Sequence, residues 1–438
     1  MYKDRRGLAV TAANEAAVTH LDAAIESYLG FRTDVGDHLK RALAADPHCA
    51  LALCARGYFL LLMAARGLIP RAKDALAAAA AAKDRVTPRE QAHIAALEAW
   101  CGGDVDQALS VWEALIAEHP RDVIALKLAH FWQFYLGRSQ SLRDGVAGAL
   151  AGWDEQVPGY GYMLGLQAFG LEECHDYAAA ERAGRRAIEL NPADVWATHA
   201  VAHVMEMQDR PRDGIAWIES RTADFAGCNN FRFHVWWHRC LFHLELGEHD
   251  RVLELYDREV RAESTNDYLD ICNAVSLLWR LDDSGVAVGH RWAELADQAA
   301  LRIDDHVLAF VDAHFMMALA AGRGPAADRM MESVRAHARD GRETEARVLA
   351  EVGAAVCEAA LAHRRRDWRR VIERLMPVRY AIVRIGGSHA QRDLFQKMLV
   401  SACLADGQAQ AARDLLAERL RQRPNNAWAK AAWAGLAA

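Results

Sequence analysis

Apolar residues recur at helical spacing along almost the whole chain, and short polar segments interrupt them at regular intervals. Alanine, leucine, glutamate and arginine are abundant, and alternations of threonine, valine and isoleucine are few, so the composition favours helix. The pattern therefore predicts an all-α fold. Amphipathic helices with one charged side are predicted at 104–118, 176–190, 248–260, 324–338, 366–375 and 408–421, and more aromatic helices at 126–137 and 231–247.

Prolines indicate the period of this pattern. Each of five prolines precedes an apolar-periodic helix, and their spacings are 41, 32, 38 and 34 residues: Pro47, Pro88, Pro120, Pro158 and Pro192. Because the first turn of a helix does not need the N–H that proline lacks, each proline is predicted to mark a helix start. The spacing is typical of a repeat of two helices in about 34 residues, the tetratricopeptide unit.

The repeat predicts the architecture. Segments 176–204 and 409–437 follow the tetratricopeptide pattern closely, whereas the other repeats are degenerate. No linker rich in Gly, Ser or Pro interrupts the series, so we predict a single continuous domain over residues 1–438. It is expected to be an α-solenoid of about ten or eleven tetratricopeptide-like hairpins, wound into a right-handed superhelix with the first helix of each repeat on the concave surface.

Charge and cysteine usage narrow the classes of function. The chain has 52 basic and 59 acidic residues and a net charge of −7, which argues against nucleic acid or a membrane surface as partner. Residues 1–18 lack the apolar run of a signal peptide, so export is not expected, and no segment reaches the about 20 apolar residues that a membrane span needs. Nine scattered cysteines without a C-x-x-C pair are typical of buried thiols in a reducing compartment, so we predict a cytoplasmic protein.

Several segments carry a more specific resemblance. They include ALKLAHFWQFYLG (125–137), WATHAVAHVMEM (196–207), HVWWHRCLFHLELGEHDRVLELYD (234–257), FVDAHFMMALAA (310–321) and GGSHAQRDLF (386–395). In this order, and along the whole chain, they resemble the tetratricopeptide repeat protein 38 family. The resemblance implies a superhelical repeat fold and brings no activity with it.

Histidines are concentrated in the predicted first helices. There are nineteen in the chain, and seven lie at similar depth in those helices, so they are expected to converge on one concave region: His130, His199, His203, His234, His238, His243 and His314. On one helix, His199, His203 and Glu206 have the spacing i, i+4, i+7 and share a face. On the next first helix, His234 and His238 form a second pair beside Trp236 and Trp237.

Three interpretations of these histidines stay open. His199, His203, His234 and His238 could together bind a divalent transition metal, zinc as the first guess, because neutral imidazole is its usual nitrogen ligand. Alternatively, the same histidines act as catalytic groups without a metal, with one imidazole as general base and Glu206 fixing its tautomer. In the third interpretation they pack between helices and form hydrogen bonds to the next repeat.

Other polar residues are expected to line the same pocket. The candidate ligand-binding residues are His130, Trp237, Asp270, Asp312, His314, Gln391, Arg392 and Asp393. Ser388 is predicted to cap the helix that follows Gly386 and Gly387. A guanidinium at Arg392 could bind a carboxylate or phosphate through two hydrogen bonds, or pair with Asp312 or Asp270. Motifs for a phosphate loop or a nucleophile elbow are absent from the sequence.

These features allow three functions. The first is a pocket lined by His, Asp, Arg and Trp that binds a small molecule or a peptide end. The second is a metal-dependent or acid–base hydrolase, and the third is a protein–protein scaffold. The density of titratable residues favours the first two, between which the sequence does not decide. Trp428 and Trp433 lie in a terminal repeat without a polar cap, which a homodimer or docking of the C-terminus would explain.

Overall fold

The structure, a computed structural model, describes residues 1–322 and 324–436. The chain forms two compact units. Unit 1 consists of Met1–Val201, Thr222–Arg232 and Arg342–Thr344, and unit 2 consists of Ala202–Arg221, Phe233–Gly341 and Glu345–Ala438. The single continuous domain over residues 1–438 stays a prediction.

Helices make up nearly all of the regular structure in the described residues. The first eleven are α1 (Glu15–Leu29), α2 (Val35–Ala45), α3 (Ala50–Leu62), α4 (Ile69–Ala80), α5 (Pro88–Cys101), α6 (Val105–Glu118), α7 (Val123–Tyr135), α8 (Ser139–Leu150), α9 (Tyr160–Glu173), α10 (Tyr177–Leu190) and α11 (Val195–Met207). The next are α12 (Pro211–Glu219), α13 (Thr222–Phe225), α14 (Phe231–Glu245), α15 (His249–Leu255), α16 (Tyr268–Asp283), α17 (Arg291–Ala300), α18 (Ala309–Ala321), α19 (Ala326–Asp340), α20 (Thr344–Val348), α21 (Ala354–Arg364), α22 (Trp368–Val378), α23 (His389–Ala405), α24 (Ala409–Gln422) and α25 (Ala427–Gly435). Turns of 3₁₀ helix lie at Arg66–Leu68, Lys83–Arg85 and Ile382–Ile385, and π-helical turns at Tyr256–Val260 and Leu349–Gly353.

Helices that are consecutive in sequence pack against each other in both units. In unit 1 the packed pairs include α1 with α2, α3 with α4, α5 with α6, α7 with α8 and α9 with α10. In unit 2 they include α16 with α17, α18 with α19, α21 with α22 and α23 with α24. First helices of neighbouring pairs also touch, as α3 does with α5 and α16 with α18. This arrangement confirms the predicted all-α, tetratricopeptide-like repeat fold.

The prolines have a different role from the predicted one at four of the five positions. Only Pro88 is the first residue of its helix, where Thr87 and Glu90 form a capping box at the start of α5. At the other four prolines the helix begins two or three residues later, and the proline occupies the second position of a hydrogen-bonded turn. The bonds that close these turns run from Cys49 N to Asp46 O, Asp122 N to His119 O, Tyr160 N to Val157 O and Asp194 N to Asn191 O.

Two short strands at the N-terminus are also a correction, because the sequence predicted none. Strand β1 (Tyr2–Lys3) pairs antiparallel with β2 (Ala9–Val10). Each strand has two residues, which is too short for an alternating apolar pattern to be recognised in the sequence.

A buried ion-pair network stabilises the helix starts of unit 1. Asp122 caps α7 by accepting the N–H of Ala125. Its Oδ2 also lies 2.8 Å from Nη1 of Arg89 and 2.9 Å from Nε2 of His93, and all three side chains are buried. Burial alone would raise the pKa of Asp122. The hydrogen bond and charge of His93 and the charge of Arg89 outweigh burial, so the pKa of Asp122 lies well below its usual value.

A glycine in unit 2 allows a close helix–helix approach, which gives the first prediction. A Cβ on Gly214 of α12 would lie 2.2 Å from Cζ of the buried Phe242 ring on α14. We expect Gly214→Ala to destabilise the protein by about 1–3 kcal/mol, because the ring must shift within a packed core. Gly148→Ala is the control. Its Cβ would meet nothing within 4 Å in α8, so there alanine is expected to stabilise by up to about 1 kcal/mol. Urea unfolding monitored by circular dichroism measures both, and an unchanged Gly214→Ala variant would contradict the close packing.

Two further expectations can be compared with the described residues. All nine cysteines are free thiols, and all except Cys174 are buried, as predicted. None of the helices described here is both long and apolar enough to cross a membrane.

Candidate functional site

Three of the predicted histidines come together in unit 2. His203 lies near the end of α11, and the i, i+4 pair His234 and His238 lies on α14. The ring centroids of His203 and His238 are 4.3 Å apart, and those of His234 and His238 are 4.9 Å apart. A potential ligand atom from each of the three lies within 4.8 Å of the others, and all three side chains are buried. We call these three residues the histidine cluster.

Neighbouring polar groups orient two of these rings. Nδ1 of His238 lies 3.0 Å from Oε2 of Glu206, and Nδ1 of His234 lies 2.9 Å from Oδ1 of Asn273 on α16. When Nδ1 donates to an oxygen, Nε2 becomes the nitrogen with the lone pair. Trp237 supports this arrangement, because its ring stacks on His234 and its indole N–H donates to Ser276 Oγ at 2.7 Å.

Burial favours the uncharged form of two histidines of the cluster and of Glu206. It lowers the pKa of His234 to about 4, against the hydrogen bond that His234 donates to Asn273, and it lowers the pKa of His238 well below its usual value. Burial also raises the pKa of Glu206 to about 7, although the charges of Arg423 and Arg280 oppose this. Burial therefore favours neutral imidazoles, which is the form that binds metal ions and accepts protons.

A charged pocket adjoins Glu206 in unit 2. It lies among the ends of α11, α14 and α24 and the sides of α16 and α23, and it has about 400 Å³ of empty space including its open mouth. Its lining includes four acidic and four basic residues: Glu206, Asp209, Glu245 and Asp393, with Arg210, Arg280, Lys397 and Arg423. We call this space the charged pocket.

Most cations of the charged pocket have an acidic partner. Nη2 of Arg423 lies 2.6 Å from Oδ1 of Asp209, and Nζ of Lys397 lies 3.6 Å from Oδ2 of Asp393. Asp393 also forms a hydrogen bond with Arg419. Burial would raise the pKa of Asp393, but the charges of Arg419 and Lys397 outweigh it and lower the pKa well below its usual value.

Arg280 is different from these cations. Its guanidinium donates to two carbonyl oxygens, that of Ser276 at 3.1 Å and that of Ala390 at 2.8 Å. Arg280 is buried, with a relative exposure of 7%. Among the described residues, no carboxylate lies within ion-pair distance of it. Burial lowers the pKa of Arg280. A buried guanidinium beside a pocket without a bound carboxylate favours an external anion.

Three other predicted residues of unit 2 have local partners. Asp270 accepts the hydroxyl of Thr265 at 2.6 Å. Asp312 lies 3.2 Å from Nδ1 of His306. Nδ1 of His314 lies 2.8 Å from the carbonyl oxygen of Phe310, one turn earlier on the same helix, and burial lowers the pKa of His314 to about 4. Each of these contacts joins two residues that are close in sequence, and each holds a side chain in the first half of a helix.

The segment before α23 is arranged as predicted at Ser388, which caps the helix. Ser388 and Gln391 form a capping box, in which the backbone N–H of Ser388 donates to Oε1 of Gln391 at 2.9 Å. Arg392 donates to the carbonyl oxygen of Gly387 and contacts Nδ1 of His389. Of the predicted residues in this segment, Asp393 is the one that lines the charged pocket.

Two other predicted residues, His130 and His199, lie in unit 1. Both are buried and pack against aromatic rings: the centroid of Phe169 is 5.9 Å from His130 and 5.5 Å from His199. The ring of Trp196 is 5.8 Å from His130 and 5.0 Å from His199. Burial lowers the pKa of His130 to about 3.

Sequence reasoning missed several polar residues of these surroundings. Arg280, Lys397 and Arg423 were not predicted, because their proximity in the pocket depends on how separate helices pack. Lys127 and Asp194 of unit 1 were missed as well. The available signal was a lysine within the apolar segment ALKLAHFW (125–132), since lysine is rarely buried without a partner.

Comparisons with known proteins do not identify a family for this chain. No family model matches the chain. Among solved structures, the chain is similar to the TPR domain of P58(IPK), with 12% sequence identity and a TM-score of 0.21 over 90% of this chain and 99% of that chain. The fold assignment rests on the packed helix pairs described above, and membership of the tetratricopeptide repeat protein 38 family stays a prediction.

Proposed function

We propose that this tetratricopeptide-like repeat protein binds a small molecule or a peptide end through a carboxylate in the charged pocket. The observation that supports this proposal best is Arg280, a buried guanidinium at the pocket without an acidic partner among the described residues. Arg280 retains N–H groups beyond the two that donate to carbonyl oxygens, and a carboxylate matches the spacing of a guanidinium fork.

The charge of the lining favours a ligand with a small net charge. Because acidic and basic residues are equal in number around the pocket, a compact monoanion or a zwitterion fits better than a polyanion. Asp393 would repel a second negative charge, and Glu206 could accept a hydrogen bond from an ammonium or hydroxyl group of the ligand. A peptide C-terminus and a small amino or hydroxy acid have this chemistry.

Ligand titrations of the full chain test the proposal. The probes are acetate, glycine and Gly-Gly-Gly, with inorganic phosphate for comparison, and the readouts are melting temperature and titration calorimetry. We expect at least one carboxylate probe to bind, with a stabilisation of about 2.7 kcal/mol at a hundredfold excess over Kd. Arg280→Gln is expected to abolish binding.

Arg210→Gln is the matched control, because Arg210 also lines the pocket but lies 2.9 Å from Asp213. It is expected to retain binding. Equal binding by wild type and Arg280→Gln, or no binding of any carboxylate probe by wild type, would refute the proposal.

A second candidate function is metal binding at the histidine cluster, with hydrolase activity as its extension. It is favoured by the contacts of His238 with Glu206 and of His234 with Asn273, because metal-binding histidines usually donate their second N–H to such oxygens. His203, His234 and His238 would provide three nitrogen ligands for zinc, and His199 is the fourth residue that the sequence predicts. Glu206 touches His238 and also lines the charged pocket, so it would be the acid–base group for a bound substrate.

The remaining sequence predictions are unchanged by these observations. A protein–protein scaffold, a homodimer and a cytoplasmic location stay predictions. Trp433 of the terminal helix α25 is 41% exposed, whereas Trp428 packs near Lys397 and Arg419.

A further inference from the structure

Lys127 of unit 1 lies in surroundings that are unusual for a lysine. It belongs to α7 and has a relative exposure of only 7%. Its Nζ lies 4.1 Å from the ring centroid of Trp196 and 5.0 Å from that of Phe31. Among the described residues it has neither a hydrogen-bond partner nor an acid within ion-pair distance. A buried ammonium usually has both, whereas Nζ of Lys127 directly faces two aromatic rings.

The aromatic rings around Lys127 form a defined wall. Phe31 stacks on Phe231 with centroids 4.4 Å apart, and the planes of Phe31 and Trp196 are within 5° of parallel. Phe31 adopts a left-handed backbone conformation, with φ of 52°, which is strained for a bulky residue. A hydrogen bond of 2.6 Å from Asn229 N to the carbonyl oxygen of Phe31 holds it there. Strain of this kind is retained mainly where the position of a side chain matters.

Two further polar atoms near Lys127 lack partners among the described residues. Oδ2 of Asp194 and Nε1 of Trp196 are both buried and accept or donate no hydrogen bond. The other oxygen of Asp194 caps α11 by accepting the N–H of Ala197 at 3.0 Å. At the same position of the repeat, Asp122 uses its second oxygen to bind His93, whereas α9 has Gly165 in place of that histidine. The repeat that contains Gly165 therefore lacks the histidine that binds the corresponding carboxylate in an earlier repeat.

The electrostatics agree with this geometry. Burial lowers the pKa of Lys127 to about 7, although the charge of Asp194 opposes this. Burial also raises the pKa of Asp194 to about 7, against its hydrogen bond with Ala197 and the charge of Lys127. A large part of Lys127 is therefore the neutral amine at neutral pH, and a desolvated neutral lysine is a nucleophile toward carbonyl groups.

We propose that Lys127 is a nucleophilic amine that forms an imine with a small aldehyde. The Nζ lone pair attacks the carbonyl carbon, and the carbonyl oxygen takes up the proton that nitrogen loses, which gives a carbinolamine. The C–O bond then breaks, water leaves with a proton from solvent, and nitrogen forms the C=N bond. Overall, an ammonium group and an aldehyde give an iminium ion and water, so charge and atoms balance without an oxidant or reductant.

The surroundings of Lys127 suit the product of this reaction. An iminium ion remains a cation against the faces of Trp196 and Phe31, and it has fewer N–H groups to hydrate than an ammonium ion. Asp194 supplies the negative charge that acts on this position. Because little of Lys127 is exposed, the aldehyde must be small. The inference is independent of the charged pocket, which is formed by unit 2.

Reductive trapping tests the inference on the full chain. The native protein is treated with acetaldehyde and cyanoborohydride at pH 7, and labelling of each of the seven lysines is followed by peptide mass spectrometry. Lys73, an exposed lysine on α4, is the internal control. We expect Lys127 to be labelled about tenfold faster than Lys73, because burial favours the neutral, nucleophilic amine of Lys127.

Three comparisons decide the result. In urea the preference for Lys127 should disappear, since the unfolded chain gives both lysines ordinary surroundings. Lys127→Met should lose the fast labelling event in intact-mass measurements, and Lys73→Met should keep it. Labelling of Lys127 that is equal to or slower than that of Lys73 in the native protein, or a preference that persists in urea, would overturn the inference.

Discussion

Asp122→Asn is expected to destabilise the protein by about 3–5 kcal/mol, because it removes the anion from a buried pair and leaves the Arg89 guanidinium without its counter-charge. His93 loses its carboxylate partner as well. Asparagine can still cap α7, so the loss reports on the charge and not on the cap. Urea unfolding monitored by circular dichroism measures the difference. Asp144→Asn is the control, since Asp144 pairs with Arg143 on an exposed surface, and its unfolding midpoint is expected to stay unchanged.

The pH dependence of the same variant gives an independent check. The pKa of Asp122 is lower in the folded protein than in the unfolded chain, so its stabilisation is complete above the unfolded pKa of about 3.9. As the pH falls below that value, the unfolded chain takes up a proton first and the stabilisation decreases. The difference between wild type and Asp122→Asn should therefore be constant near neutral pH and shrink below about pH 4. A constant difference down to pH 3 would contradict the ion pair.

The second large effect is expected at the histidine cluster. Wild type purified without a histidine tag and supplied with zinc should hold about one ion per chain, and His234→Ala/His238→Ala should hold none, because two of the three unit 2 ligands are gone. Elemental analysis measures the content. His314→Ala is the matched control, since His314 is also a buried histidine of unit 2 but bonds to the carbonyl of Phe310, and it should keep the ion.

A milder variant keeps this prediction testable if the double variant does not fold. Asn273→Ala leaves all three histidines in place and removes only the oxygen that orients His234. Loss of such an orienting contact is expected to weaken zinc binding by about 10–100-fold. Wild type without zinc, or a folded His234→Ala/His238→Ala protein that retains it, would exclude a metal at the cluster.

Most of the fold could be predicted from the sequence, because repeated helices produce a periodic signal. The helix predicted at 104–118 is α6, Val105–Glu118, and the helix predicted at 176–190 is α10, Tyr177–Leu190. The prediction that each proline marks a helix start was wrong where a hydrogen-bonded turn precedes the helix. At Pro120, for example, the helix begins only after this turn. The two-residue strands β1 and β2 left no pattern to detect.

The candidate sites could be predicted only where helical spacing brings residues together. His234 and His238 share a face because they are one turn apart, and Glu206 was found by the same rule relative to His203. The role of Asn273 toward His234 and the proximity of Arg280 to Glu206 depend on how separate helices pack. Lys127 beside Phe31 is a still longer-range contact. The residues in such contacts do not follow a regular interval along the sequence, so only the structure shows that they are close.

A crystal structure of the full chain soaked with the carboxylate probe that binds best tests the central proposal most directly. The proposal predicts that the carboxylate lies in the charged pocket with both oxygens within hydrogen-bond distance of the Arg280 guanidinium, and that crystals of Arg280→Gln show no probe there. A probe bound elsewhere, or a carboxylate in the pocket that does not contact Arg280, would contradict it.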